Sequence, residues 1–444
     1  MTGTEERRPP SVGRQGVQRR TVRVLGGAQV LSGIGVGAGI AAGSLLVAEL
    51  TDNDSLAGLA QTFGVIGAAI AAGPLAWLSA KTGRRTGLAT GLWIAAVGSV
   101  VVVVGAALGW VPMVLVGTLG VGVASAVGLQ ARYAASDLAA PQHVARDLAF
   151  VVWATTIGAV LGPNLMEPAS RLADALSLPP LSGAYLVTAV SVTLAAMLVL
   201  GWLRPDPLVE ARRLASGEGD PGKVPQEPEP HPGMVTELAR GWRVVRQSPG
   251  ASLAVASIAV GHVVMVMVMV MTPVHMQHVD VTLQVVGLVI SVHILGMFAL
   301  SPVVGSLADR WGSTTVIALG VMLLATATAI AGTASGDSIV QLGIGLFLLG
   351  LGWSGTLVGG SALLSTSVAE ADRPVAQGVG DTVMNVAAAA GGALAGVIVY
   401  VASYGWLNVA AAACLVPLAI GLARGWGGRE NRRRVADGIR TPVR

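Results

Sequence analysis

Residues 262–297 hold four of the six histidines and six of the thirteen methionines in this 444-residue chain. His262, Met265, Met267, Met269, Met271, His275, Met276 and His278 fall in one run, and His293 and Met297 follow. Thioether and imidazole are the neutral side chains that soft ions such as Cu(I) prefer. Neutral ligands suit a site that must bind an ion and then release it. The surroundings are apolar enough to cross a membrane. Methionine is also a flexible apolar filler. Met-Val alternation turns thioethers to both sides of a helix, so some of these residues are filler.

Helical geometry sorts the candidates. His262, Met265, Met269 and Met276 share one stripe, and Met267, Met271, His275 and His278 share another. His293 and Met297 share a face of the next segment. At about 1.5 Å per residue, His293 lies roughly 13 Å deep, level with Met267 to Met269, and Met297 lies about 6 Å deeper. A four-ligand site between the two segments is therefore feasible. His275 and His278, nearer the mouth, are candidates either for passing an ion inward or for plain surface polarity.

The elements that carry these residues follow from composition. The chain is 53% hydrophobic and 12% charged, whereas a soluble domain would be about a quarter charged. Twelve apolar runs are each long enough to span a bilayer: 24–48, 57–79, 87–108, 111–134, 147–168, 182–203, 251–276, 284–304, 314–333, 338–366, 376–400 and 405–424. Barrel strands would be shorter and would alternate, so the fold class is an all-α membrane protein. The expected organisation is a basic tail (1–23), a six-helix bundle (24–203), a linker (204–250), a second six-helix bundle (251–424) and a basic tail (425–444). In the linker, Met234–Ser248 places Val235, Leu238, Trp242 and Val245 on one face, a pattern for a surface helix or a solvated one.

Charge placement sets orientation. Arg7, Arg8, Arg14, Arg19, Arg20 and Arg23 precede span 1. Lys81, Arg84 and Arg85 follow span 2, and Arg429, Arg432, Arg433 and Arg434 follow span 12. Among the opposite loops only the one after span 5 carries a cation, Arg171. The positive-inside rule then makes both termini cytoplasmic. Cations confined to short loops between apolar runs argue against a nucleic-acid partner; the expected partners are the bilayer and a small ion or small molecule. The single cysteine, Cys414, excludes an internal disulfide and cysteine-based metal clusters.

The chain repeats itself. Ser79-Ala80-Lys81-Thr82-Gly83-Arg84-Arg85 follows span 2, and Gly305-Ser306-Leu307-Ala308-Asp309-Arg310-Trp311-Gly312 follows span 8. The second segment resembles the G-x-L-A-D-R-x-G-R-R signature of the major facilitator superfamily. Ser313 and Thr314 stand where the family has arginines, and Ala80 stands where the first copy would have aspartate. The resemblance implies two six-helix bundles, alternating access, a monomer, and a gate in which Gly305, Asp309, Arg310 and Gly312, with Gly83, Arg84 and Arg85, join the bundles. Ala80 cannot play the aspartate's part. Gly158, Gly162 and Pro163 resemble the G-x-x-x-G-P motif of drug–proton antiporters, but their small side chains and proline read first as a plain helix-packing and kink site. Met265/Met269, Met267/Met271 and His293/Met297 match the M-x-x-x-M and H-x-x-x-M patterns of the CcoA-like copper-importing branch.

Other polar residues complete the candidates. Asp381 and Glu167 are the proton-coupling candidates; Asp381, with Asn385 one turn on, is either a buried proton carrier or a helix cap at the surface. Arg132 is expected to pair with Asp137 or with a helix across the bundle. No nucleophile–base set and no nucleotide loop is present, so an enzyme or an ATP-driven pump is not expected, and no cofactor is implied. The expected function is secondary transport, with copper import leading. Proton-coupled efflux of an organic compound is the alternative, and a non-transporting sensor or assembly factor is the alternative of another class.

Overall fold

Backbone amides and carbonyls in hydrocarbon must bond within their own segment, so long apolar runs become helices. The computed structural model describes residues 14–52, 58–216, 233–277 and 283–424. Among them, twelve helices are long and apolar enough to cross a membrane. Spans 1 to 6 are Arg14–Thr51, Gly58–Thr82, Arg84–Ala107, Val111–Ala134, Val144–Asn164 and Gly183–Trp202. Spans 7 to 12 are Pro249–Gln277, Leu283–Phe298 with Ser301–Trp311, Ser313–Gly332, Ile339–Ser367, Arg373–Val401 and Tyr404–Ala423.

The two halves repeat one packing scheme. In the first, span 1 packs on 5 and 6, span 2 on 4, and span 3 on 4 and 6. In the second, span 7 packs on 11 and 12, span 8 on 10, and span 9 on 10 and 12. Across the halves the same correspondence holds, with span 2 on 11 and span 5 on 8. Small residues let these helices approach. At Gly305 a Cβ would stand 2.5 Å from the Ala149 methyl. Gly158 and Gly162 seat span 5 on span 1, where added Cβ atoms would lie 2.6 Å from the Val30 and Ile34 carbonyl oxygens. The arginine-rich connections gather at one end of the spans, called here the basic end; the other is the far end.

Several boundaries differ from expectation; span 8, expected over 284–304, runs on to Trp311 in two segments. Residues 14–23 belong to the span 1 helix rather than to a tail; residues 1–13 and 425–444 lie outside the described residues. Gln18 secures that extension by donating to the Ala135 carbonyl (2.6 Å) and to Asp147 (2.7 Å). Apolarity alone does not register a polar turn satisfied in this way. Span 5 ends at Asn164, and Glu167 sits on a separate amphipathic helix, Met166–Ala175. The linker helix is Met234–Gln247, and it buries Glu237, Gly241 and Val245 while Val235 (76%) and Trp242 (48%) stay exposed. Gly241 draws its face onto the Val375 carbonyl of span 11, and Leu238 meets Gly73 of span 2, which rotates the packed stripe away from Val235 and Trp242.

Candidate functional site

The repeated motif makes two one-residue turns. Gly83 alone separates spans 2 and 3, and Gly312 alone separates spans 8 and 9. Their φ values are +98° and +89°, a region that only glycine enters freely. The turn after span 8 places Asp309 against the start of span 5, where its carboxylate accepts from the backbone amides of Ala145 and Arg146, each at 2.9 Å. Those amides are unsatisfied at a helix N-terminus, which favours an anion there. Arg310 is exposed and lies off this contact.

Ala80 is replaced from two directions. Asp206, from the linker, accepts from the Arg85 amide (2.7 Å) and from Leu208 N (3.0 Å), and Arg212 donates to the Ala80 carbonyl (2.8 Å). Arg84 crosses to the second half. Its Nε donates to Asp137 (2.8 Å), and its Nη2 donates to Gln377 of span 11. At the first copy the two halves therefore meet through an arginine–glutamine contact instead of an aspartate.

One turn inward a buried ion pair joins the halves. Arg132 of span 4 donates to Asp381 of span 11 (2.6 Å), to Ser361 of span 10 (3.0 Å) and to the Tyr133 hydroxyl (3.2 Å). Both charged side chains are 1% exposed. Asp381 is thus buried and ion-paired across the bundle, not capping a surface helix. Ser136 and Ser365 add a hydroxyl contact at 3.3 Å. All of these contacts sit at the basic end. An apolar cluster that includes Tyr133, Leu148, Val152, Val255, Val304, Val358 and Leu364 packs around them from both halves.

From mid-span toward the far end there is a cavity of about 600 Å³, mouth included. Val36, Gly39, Gly43, Val65 and Val121 supply small apolar lining; Gln61, Thr118, Ser125, Tyr185 and Asn385 supply polar atoms. No charged residue lines it among the described residues. Gln61 and Ser125 are exposed although they lie inside spans, as expected of a wet cavity. Tyr185 donates to the Gly39 carbonyl (3.1 Å), and a Cβ at Gly43 would stand 2.6 Å from its hydroxyl oxygen. Asn385 donates to the Asp381 carbonyl (2.8 Å), so the cavity floor is one helical turn from the ion pair.

The histidines go to separate partners. His293 is buried, with Nδ1 on the Leu346 carbonyl of span 10 (2.8 Å) and Nε2 sealed without a partner. His262 bonds Trp353 of span 10 (2.8 Å). His275 bonds the Ala334 carbonyl (3.1 Å) and stacks on Tyr404 at 4.2 Å. His278 lies outside the described residues. Met265 and Met267 are buried, and Met269, Met271 and Met297 are partly buried, in the apolar cluster of the second half. Spans 7 and 8 pack little on one another; His293 faces span 10 instead. Glu167 is 76% exposed and pairs with Arg171 on its own helix. Gln377 and Asp206 carry no signal in the sequence. Gln61 and Ser125 do, as polar residues within apolar runs.

Two six-span halves, joined at one end by buried polar contacts and parted by a cavity, define a multi-pass membrane transporter. The Major Facilitator Superfamily model matches residues 25–282 and 253–442. The uncharacterized MFS-type transporter YddS of Bacillus subtilis (strain 168) is 34% identical over 406 residues, 90% of each protein. The riboflavin transporter RfnT of Brucella anthropi is 27% identical, over 88% of this chain and 91% of that one. The crystal structure of the human organic anion transporter MFSD10 (TETRAN) superposes with a TM-score of 0.68 at 17% identity, covering 94% of this chain and all of that one; that likeness concerns the fold. The chain belongs to the Major Facilitator Superfamily, whose members are transporters and not enzymes.

Proposed function

We propose that this protein is a proton-coupled secondary transporter of a neutral organic solute in the cell membrane. In this reading both termini and the basic end are cytoplasmic, and the structure is the outward-open member of an alternating-access pair. The observation that carries it is the uncharged cavity. Apolar walls with a few neutral donors and acceptors match an uncharged ring compound better than a bare ion. Similarity to a protein named as a riboflavin transporter supports the same class. Asp381 is the proton carrier, because a buried carboxyl one turn below the cavity floor can release Arg132 when it takes up a proton. The transporter works as a monomer.

Copper import draws its support from the sealed, unpartnered Nε2 of His293 and from the methionines nearby. Three histidines committed to three different partners weigh against it. Uptake into proteoliposomes under an imposed proton gradient separates the readings. Radiolabelled riboflavin accumulating in response to a proton gradient, with no copper(I) uptake under reducing conditions, is the expected result. Copper uptake without riboflavin flux would overturn the proposal. Binding without any flux would favour the sensor or assembly-factor reading.

A further inference from the structure

On the second-half wall, Trp353 fixes the proton of His262. An indole N–H only donates, so the nitrogen that receives it, His262 Nδ1 at 2.8 Å, must be an acceptor. A neutral ring then carries its proton on Nε2. Trp353 is held in turn, 4% exposed, by the edge of Phe298 with ring centroids 5.6 Å apart. His262 Nε2 has no hydrogen-bond partner among the described residues, and the side chain is half-buried where that of His293 is fully buried.

Position points that N–H toward the space between the halves. On span 7, Gly261 packs on Thr356 of span 10 and Val263 packs on Gly391 of span 11, so residue 262 looks out between spans 10 and 11. Counting about 1.5 Å per residue from the basic ends of their spans, His262 stands about 20 Å in and Asn385 about 18 Å in. Asn385 lines the cavity.

We propose that His262, held in one tautomer by Trp353, is a solute-binding residue of the second half, donating its Nε2–H to a carbonyl oxygen or ring nitrogen of a neutral heteroaromatic solute. Trp353 is its positioning residue. The inference rests on the organic-solute reading, and riboflavin, which carries such acceptors, is the probe.

The test uses the full chain in nanodiscs and proteoliposomes. On binding riboflavin, the ¹⁵N and ¹H resonances of the His262 Nε2–H should shift and those of His293 should not. His262→Ala should raise the KM for riboflavin counterflow about tenfold with little change in maximal rate, and His262→Gln should restore part of it. Trp353→Phe keeps a ring but removes the indole donor. It should raise KM less and change the ¹⁵N spectrum of His262 from a single Nε2–H tautomer to a mixture. A His262 resonance unmoved by riboflavin, or His262→Ala transporting riboflavin with wild-type KM, would overturn the inference and leave the organic-solute reading standing. A wild type without riboflavin flux would overturn the solute class and this inference with it.

Discussion

Replacing Asp381 with asparagine should open the basic end. The substitution keeps the side-chain shape and removes the charge opposite Arg132, at a site where both partners are 1% exposed. Arg132 Nη1 and Asp381 Oδ2 have no other partner, so one 2.6 Å contact carries the compensation. Leaving a buried charge uncompensated costs about 3–5 kcal/mol. The penalty falls on the sealed state alone, because parting the halves returns the guanidinium to water. At about 1.4 kcal/mol per factor of ten, the equilibrium should shift by roughly 10² to 4 × 10³. A single cysteine at Ser365, 2% exposed and bonded to Ser136 across the halves, reports the change in a Cys414→Ser background. Maleimide labelling in nanodiscs should run about 100-fold faster or more in Asp381→Asn, with Asp381→Glu between the two. Equal labelling rates, with transport nonetheless lost, would refute the locking role and leave Asp381 a proton carrier only.

Asp309→Ala removes the acceptor for two helix-terminal amides, worth about 1.5–3 kcal/mol for a charged acceptor, so the same reporter should label at least tenfold faster. Gln377→Leu leaves Arg84 its bond to Asp137 and should speed labelling tenfold or less; an effect equal to that of Asp381→Asn would mean that the first-copy gate carries as much as the ion pair. Gly158→Val and Gly162→Val drive side chains into the backbone of span 1, at about 1–3 kcal/mol for overpacking; a lowered unfolding temperature is expected, and an unchanged one would exclude the packing role. His293→Leu replaces a side chain packed on span 10 and should keep riboflavin counterflow within about twofold, with complete loss as the contrary result.

Run length made the spans legible, because hydrocarbon thickness and helical rise leave little choice of element. Arginine placement likewise separated the two ends of the spans. Depth along a helix was legible too, and His293 does sit well inside span 8. Spacing says nothing of rotation about the axis or of which neighbour lies opposite, so His293 meets span 10 where span 7 was expected. Arg132 and Asp381 stood out as charges in apolar runs, and their pairing follows once spans 4 and 11 come together. Gln377, Asp206 and Arg212 could not be found that way, since a glutamine at a helix start and charges in a polar linker are unremarkable until the turn at Gly83 brings them to one place.

Span 8 is interrupted at Ala299 and Leu300, where Leu283–Phe298 ends and Ser301–Trp311 begins with Pro302 in its first turn. The far segment is keyed to span 10 by His293 and Gly296, while the near segment rests on span 5 of the other half through Gly305 and Asp309. A continuous rod would transmit any swing of its gate-bearing end straight to the packing around His293. A joint at residues 299–300 would soften that coupling, even though the near segment also meets span 10 through the Ser301–Ser354 hydroxyl contact at 3.2 Å. The stiffness of those two residues then sets how much of any swing at the basic end reaches the interior of the second half.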